Sequence, residues 1–411
     1  MQIVLFEDER VTQLYPVSVG KPAFWMSCGS FRLADLLAEL DVPLRALVRP
    51  HLRAIVEADG LACGLDGSRS GQLLFVNARL VPSVAHLRRV AELLRAGQPG
   101  IIRHNHAVLL ALVNAADVPA EPLLSAAQAG AALAGLRVPA SEEELTTFEY
   151  PHDLVRHHLT TLADSLGHRL RRGQYEEIAD GVFAAPGAKL GQYTVTDTTK
   201  GPILLEQDAS VGPFCYLSGP AHLGAGARLI EHAAIKDAVA IGHTTKIGGE
   251  VEGSTIEPYT NKQHHGFLGH SYLGSWVNLG AGTCNSDLKN TYGHVNMEYQ
   301  GQKVATSMQF IGSIVGDYAK TAINTGIFTG KTIGSCSMIY GFVTTNVPSF
   351  VNYARSFGQV TEAPVEVMIA TQARMFARRT VDQRPCDIQL LHDMHALTRH
   401  ERQIAGEPLA L

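Results

Sequence analysis

Eight aliphatic residues stand six apart in one unbroken register: Leu205, Val211, Leu217, Leu223, Leu229, Ile235, Ile241 and Ile247. Neither a helix nor an ordinary strand has a period of six. The spacing predicts a left-handed parallel β-helix, in which three short strands make one triangular coil of about 18 residues and each aliphatic side chain stacks inside the prism. Small residues follow several of these positions (Val211-Gly212, Leu223-Gly224, Ile241-Gly242, Ile247-Gly248), as sharp corners require. The register lapses after Ile247 and returns at Phe267, Leu273 and Leu279. It returns again at Val315, Ile327, Ile333 and Ile339, with Thr321 filling a gap. A solenoid ejects extra residues as loops, and such loops often carry function. Two interruptions are therefore expected to matter, one from Glu250 to Gly274 and one from Thr283 to Phe310.

The flanking regions read differently. Before residue 175, apolar runs (QIVLF, LLFVNARLV) alternate with helical patterns (FRLADLLAEL, SVAHLRRVAELLRAG). That alternation predicts an α/β domain with a parallel sheet. Ser83 and Gly97 are placed to cap the last of these helices. The stretch from Ser141 to Tyr175 reads as linker helices. After Pro348 the chain reads as helical, broken near Pro385, and positioned to pack along the solenoid or cover its open end. The expected division is an α/β domain over 1–175, a β-helix over 176–347 and a C-terminal helical segment over 348–411.

Composition narrows the partners. Of the 411 residues, 45% are hydrophobic and 18% charged, and the net charge of -5 gives no electrostatic case for nucleic acid or an anionic membrane. The six cysteines are scattered with no C-x-x-C pair, no apolar run approaches 18 residues, and the N-terminus starts as a strand rather than a basic leader. A cytoplasmic protein is expected.

The densest polar constellation is NKQHHGFLGHSYLGSWVNLGAGTCNSDLKN, from Asn261 to Asn290. A histidine among these residues could serve as a proton acceptor near neutrality. Loop His and Asn also satisfy backbone groups at turns, which is the structural alternative. Within this stretch Gly269, His270, Tyr272, Leu273 and Gly274, then Val277, Asn278, Gly280, Ala281, Gly282 and Thr283, then Cys284, Asn285 and Asp287 closely resemble the acetyltransferase half of the bifunctional enzymes that make UDP-N-acetylglucosamine. The phrases GGEVE, NKQHHGFLGHSYLG and SDLKNTYG resemble a divergent branch, a sugar nucleotidyltransferase fused to a hexapeptide acetyltransferase. The resemblance implies acetyl-CoA as co-substrate, a homotrimer, and His270 as the base that takes a proton from a sugar amine. It places Tyr272, Asn285 and Asp287 among the sugar contacts and Asn278, Gly280, Ala281 and Gly282 along the acetyl-CoA. One residue is missing between His270 and Tyr272 relative to the family, and another between Thr283 and Cys284. The family's upstream cations lack a clean counterpart, and Lys262 and Lys246 are nearest by charge and position.

The N-terminal strand, Gln2 to Phe6, is followed by Glu7-Asp8-Glu9-Arg10, where the sugar nucleotidyltransferases carry a glycine-rich G-x-G-T-R loop that cradles phosphates. LYPVSVGKPAFWM resembles the tail of that loop and places Lys21 near a phosphate. FVNARLVP puts Asn77 or Ala78 where the family has a metal-binding aspartate. If nucleotidyl transfer occurs here, Lys21, Arg79 and Arg10 are the expected phosphate contacts, and Glu7 and Asp8 the expected Mg²⁺ ligands. A degenerate structural domain is the alternative. Two rivals concern the β-helix. A zinc hydratase related to carbonic anhydrase would use His265 and His270, five apart, with His232 or His243. A non-catalytic trimeric scaffold is the other. His104 and His106 have an H-x-H spacing but no third ligand in view.

Overall fold

The computed structural model describes residues 1–65, 70–118 and 126–405. Six strands form the N-terminal sheet: β1 (Gln2–Phe6), β2 (Leu44–Leu47), β3 (Gln72–Asn77), β4 (Gly100–His104), β5 (Ala107–Asn114) and β6 (Ala140–Glu142), in the order β2-β1-β3-β5-β4-β6. Strands β2, β1 and β3 run parallel, and β5 is antiparallel to both β3 and β4. The sheet is therefore mixed rather than parallel as expected. Asn105 and His106 both take positive φ (47° and 65°), which folds β4 and β5 into a tight hairpin around the H-x-H pair. Helices α1 (Leu33–Ala38), α2 (Arg53–Ala58), α3 (Val84–Ala96) and α4 (Ala126–Ala134) connect or flank the strands. The caps of α3 are those the sequence suggested. Ser83 Oγ accepts the His86 N–H at 3.2 Å, and Gly97 is left-handed at φ 63°.

A single helix of 20 residues, α5 (Asp153–Arg172), leads to the β-helix and packs on its first face. Leu162 and Leu166 meet Leu204 and Ala240 there, and His158 Nε2 lies 2.8 Å from the Ala238 carbonyl. The β-helix repeats as expected at first: Ile203 pairs with Ala221 and Ala221 with Val239, a step of 18 residues. All eight register residues share one buried core. Each such side chain contributes roughly 1.5–3 kcal/mol by leaving water.

Between Glu250 and Gly274 the solenoid is not interrupted. Its strands continue on all three faces, but the coil tightens: Ala240 pairs with Thr255, and Thr255 with Tyr272. The corner at Gly248-Gly249 is shorter than the others, with Gly249 at φ 69°, so the next inward residue after Ile247 is Val251. That shift moves the inward position from Phe267 to Leu268, which pairs with Val251 and is 2% exposed. The second interruption is real. Tyr272 pairs directly with Ile314, and the chain between leaves the solenoid after Asn285. Its hairpin (Asn296–Tyr299 with Gln302–Ala305) returns to the N-terminal domain, where Tyr299 stacks on Tyr150 and its hydroxyl lies 2.8 Å from His152 Nδ1.

The second face runs on through Val351–Ala354, closed by the antiparallel strand Gln359–Glu362. Helices α6 (Val365–Ala377), α7 (Pro385–Leu397) and α8 (Arg399–Ala405) follow. Residues of the N-terminal domain, the later coils and α7 share one hydrophobic core, with Phe24, Tyr272, Ile314 and Met394 all buried in it. Among the described residues no helix is long and apolar enough to cross a membrane.

Candidate active site

His270 sits at a corner of the β-helix with φ 42°, in the left-handed region that a bulky residue rarely adopts. Backbone bonds hold it there on both sides. Its N–H donates to the Glu252 carbonyl at 2.8 Å, and its own carbonyl accepts from Gly312 N at 2.9 Å. Beneath it, Asn285 is buried and clamps the preceding residue: its Oδ1 accepts the Gly269 N–H at 2.9 Å and its Nδ2 donates to the Gly269 carbonyl at 3.0 Å. A Cβ at position 269 would push against Asp287 Oδ2 and the Phe267 ring, so a larger residue there would displace the carboxylate that holds His270.

The imidazole is oriented by a carboxylate. His270 Nδ1 and Asp287 Oδ2 are 2.8 Å apart, both side chains are 13% exposed, and the Phe310 ring lies 5.3 Å away. An ionised Asp287 accepts from Nδ1–H, which leaves the lone pair on Nε2. Nε2 has no hydrogen-bond partner among the described residues and faces Gly253, where an added Cβ would come within 2.9 Å of it. This is the arrangement of a base held in one tautomer with its reactive nitrogen open. Asp287 enters the site from the start of the long excursion, 17 residues from His270 in sequence.

Three other residues expected to touch the sugar have their polar atoms engaged within the protein. Tyr272 is fully buried against the N-terminal domain, and its hydroxyl donates to Glu257 Oε1 at 2.6 Å. Burial raises the Tyr272 phenol, while Lys21 and Arg32 outweigh burial to hold the Glu257 carboxyl low. Glu257 also accepts from Ser27 N at 2.8 Å and Ser27 Oγ at 3.1 Å, so this pair joins domains instead of binding sugar. Lys262 occupies an inward position, pairing with Ile247, and is 2% exposed. Its ammonium donates to the carbonyls of Gly248 and Gly266 at 2.7 Å each, at the shortened corner, and burial pushes it down to about 8. It cannot reach a sugar phosphate, because the coil that dropped residues turned this side chain inward. Asn285 positions Gly269 and leaves no polar atom free for a sugar.

A cavity of about 550 Å³ lies on the second face, beneath α6. Asn278, Gly280 and Ala281 line it, as does Lys246, whereas Gly282 packs under Asn324. Lys320, Arg378 and Arg379 also line it. Sequence reasoning missed these three, although Arg378-Arg379 is visible as a pair of adjacent cations just past the end of α6.

The N-terminal candidates converge but neutralise one another. Arg49 donates to both oxygens of Glu7 at 3.0 Å, and Ala23 N completes the carboxylate at 3.1 Å. Arg79 is fully buried and donates to Asp8 Oδ1 at 2.8 Å and Oδ2 at 2.7 Å, while Asn77 Nδ2 reaches Oδ2 at 2.9 Å. Arg79 also holds Glu149 Oε1 at 2.7 Å. Burial would raise the Asp8 carboxyl, but Arg79 and Asn77 hold it below the ordinary range. Every oxygen that could ligate Mg²⁺ at Glu7 and Asp8 already accepts from nitrogen donors, so a divalent ion does not fit at that pair. Lys21 forms a buried ion pair with Asp317 Oδ1 of the β-helix at 2.8 Å. Arg10 reaches the Asn105 carbonyl, and Ala78 is buried. Neither Lys21 nor Arg79 is free for a phosphate. Arg49, which the sequence reading overlooked, is the residue that takes Glu7.

The histidines of the zinc reading do not meet. His265 and His270 lie at different corners, His232 stacks on Phe214 at 5.4 Å, and His243 packs edge-on against Tyr259. Among the described residues no cluster of three or more His, Cys, Asp or Glu could hold a metal ion.

Residues 3–168 match the family model for sugar nucleotidyl transferases. Curated relatives include a bifunctional sugar-1-phosphate nucleotidylyltransferase/acetyltransferase of Sulfurisphaera tokodaii, 28% identical over 149 residues (36% of this chain, 37% of that one). The bifunctional protein GlmU of Methanococcus vannielii is 33% identical over 90 residues (22% of each chain), and that of Acidithiobacillus ferrooxidans is 33% identical over 143 residues (32% of this chain, 28% of that one). The chain thus matches well under half the length of these relatives. A UDP-N-acetylglucosamine acyltransferase of Francisella novicida is similar in structure at a TM-score of 0.37, with 17% identity over 57% of this chain and 79% of that one. Over these parts the chain is similar to sugar nucleotidyl transferases at its N-terminal domain and to bifunctional sugar-1-phosphate nucleotidylyltransferase/acetyltransferases, and the β-helix with its six-residue repeat follows that domain.

Proposed function

We propose that the protein is an N-acetyltransferase acting on an amino sugar 1-phosphate with acetyl-CoA as donor. The single observation that carries this reading is the His270–Asp287 pair with Nε2 open. In the reaction His270 Nε2 removes a proton from the sugar amine as its nitrogen bonds to the thioester carbonyl carbon. The C–S bond then breaks, and the imidazolium returns the proton to the departing thiolate. Asp287 stabilises the charged ring and fixes its tautomer. Asn278, Gly280 and Ala281 lie on the second face, across the prism from the corner that carries His270, so the donor wall they supply serves a neighbouring copy's His270 in the trimer.

The N-terminal domain enters as a sugar-phosphate-type fold joined to the β-helix through Lys21–Asp317 and Ser27–Glu257. Nucleotidyl transfer in this family calls for a divalent metal, and Glu7 and Asp8 do not supply its ligands, so no step is assigned to them. Assembly as a homotrimer is supported by exposed aromatic rings on the third face and at the adjoining corner, Phe328, Phe342 and Phe357. The six unpaired thiols suit a reducing, cytoplasmic setting.

A thiol-release assay with acetyl-CoA and a panel of amino-sugar phosphates, glucosamine 1-phosphate first, tests the reading. His270→Ala should lower kcat by about 10² to 10⁴, the usual worth of a general base. Unchanged turnover in that variant rules the assignment out, and absence of thiol release with every acceptor favours the scaffold reading.

A further inference from the structure

The excursion that leaves the solenoid touches His270 at both of its ends. Asp287, at its start, bonds to Nδ1, and the Phe310 ring, at its close, lies against the imidazole. The two ends are tied to each other: Ile311 N donates to the Asp287 carbonyl at 2.8 Å, and Leu288 and Phe310 form an antiparallel bridge. Further out the pairing continues, with Thr306 N and Thr306 Oγ1 both donating to the Val295 carbonyl, at 3.2 and 2.6 Å. The tip is the hairpin of Asn296–Tyr299 and Gln302–Ala305. An isolated two-stranded hairpin is marginal in water, and ordering a long excursion costs conformational entropy at every residue. Whatever holds the hairpin therefore helps to hold both groups that face His270.

The N-terminal domain holds it, at the start of α5. Arg156 Nη2 donates to the Thr306 carbonyl at 2.6 Å, while Nη1 donates to Asp153 Oδ1 at 2.7 Å. Asp153 is buried and fixed in turn, its other oxygen accepting from Glu149 N and Tyr150 N at 2.9 Å each. Tyr299 lies in a stack of three rings, 5.6 Å from Tyr150 and 5.7 Å from His152. Val295 and Met297 are buried in the core that the N-terminal domain shares with the later coils. Neither Arg156 nor Tyr299 lines the second-face cavity, so any effect they have on His270 travels through the excursion.

We infer that Arg156 and Tyr299 are positioning residues for the base: by clamping the excursion to the N-terminal domain they hold Asp287 and Phe310 against His270. The N-terminal domain thereby serves the acetyl-transfer site without touching its substrates. The inference rests on the proposed role of His270. A carboxylate that drifts from Nδ1 leaves the imidazole free to change tautomer, and an Nε2 that carries the proton cannot take one from an amine. The donor wall lies on another face, so donor affinity should not follow.

Acetyl transfer by the full chain and its variants tests this. Arg156→Ala and Tyr299→Ala should each lower kcat at least about fivefold with KM for acetyl-CoA within about twofold, and Tyr299→Phe, which keeps the ring stack, should stay within about twofold of wild type in both. Arg156 is 40% exposed, so its truncation leaves no buried void. A readout independent of turnover is carbethoxylation of His270 by diethyl pyrocarbonate, followed peptide by peptide against His400, which is exposed on α8. Because Asp287 and Phe310 cover His270, both alanine variants should react there at least about threefold faster relative to His400. Unchanged kcat and unchanged His270 reactivity in both alanine variants overturn the inference, even if the unfolding midpoint falls, since the contact would then only stabilise the fold. If the wild type releases no thiol with any acceptor, the acetyltransferase reading falls and the carbethoxylation rates alone decide whether the clamp orders His270.

Discussion

The two polar centres of this molecule use the same residue types to opposite ends. At the strand ends of the N-terminal sheet, Glu7 and Asp8 are buried and each is saturated by an arginine. At the β-helix, Asp287 meets a histidine whose second nitrogen has no hydrogen-bond partner among the described residues, and among those residues no acid lines the cavity with the cations of the second face. A guanidinium presents enough donors to close a carboxylate on both oxygens, and closure leaves nothing to offer a ligand. An imidazole bonded to a carboxylate keeps one nitrogen for chemistry. The difference teaches that a cluster of charged residues in a sequence marks a site only if the fold leaves part of it unpaired.

The largest effect that can break this comparison lies in the N-terminal domain. Arg79→Ala leaves Asp8 buried without its partner and should cost about 3–5 kcal/mol in urea unfolding. An unchanged midpoint would mean that the pair is not what holds this region. The same pair predicts an acid limb. Because the folded Asp8 carboxyl is held low, its contribution is complete above the unfolded value near 3.8 and is lost as pH falls through the folded value. Asp8→Asn should flatten the stability curve below about pH 4.

A smaller effect sharpens the other side. Asp287→Asn keeps the geometry but loses the charge that fixes the Nδ1–H tautomer, so kcat should fall at least about tenfold with little change in KM, less than the loss in His270→Ala. A fall in KM-controlled binding with kcat intact would make Asp287 a substrate contact instead. The smallest effect is expected at Lys262. Lys262→Met should leave KM for the amino sugar phosphate unchanged and cost about 1–3 kcal/mol, from the carbonyls left without a donor at the tightened corner. A rise in KM of tenfold or more, with stability unchanged, would return Lys262 to the phosphate.

Much of the architecture was legible because it depends on local repetition. A period of six places the same side chain inside the prism at every face, and Ser83 and Gly97 act within one turn of their helix. The lapse after Ile247 looks like an ejected loop in the sequence because a corner shortened by two residues erases the register without breaking the coil. The mixed sheet escaped for a similar reason, since Asn105-His106 forms a hairpin turn without the glycine that usually signals one. The flanking motif singles out His270 and places Asp287 among the sugar contacts, and the fold sets the Asp287 carboxylate 2.8 Å from His270 Nδ1.

By itself, then, the sequence determined the β-helix, the helical segments on either side of it and the histidine at its corner, because periodicity and capping act over a few neighbouring residues. Only the tertiary structure decided which charges are free. Asp8 and Arg79 are 71 residues apart, and Glu7 and Arg49 are 42 apart. Lys246 and Lys320 reach one cavity by the stacking of coils across an excursion that no local pattern measures. Charge pairing depends on distance through space and on burial, and neither is encoded in the spacing of residues along the chain.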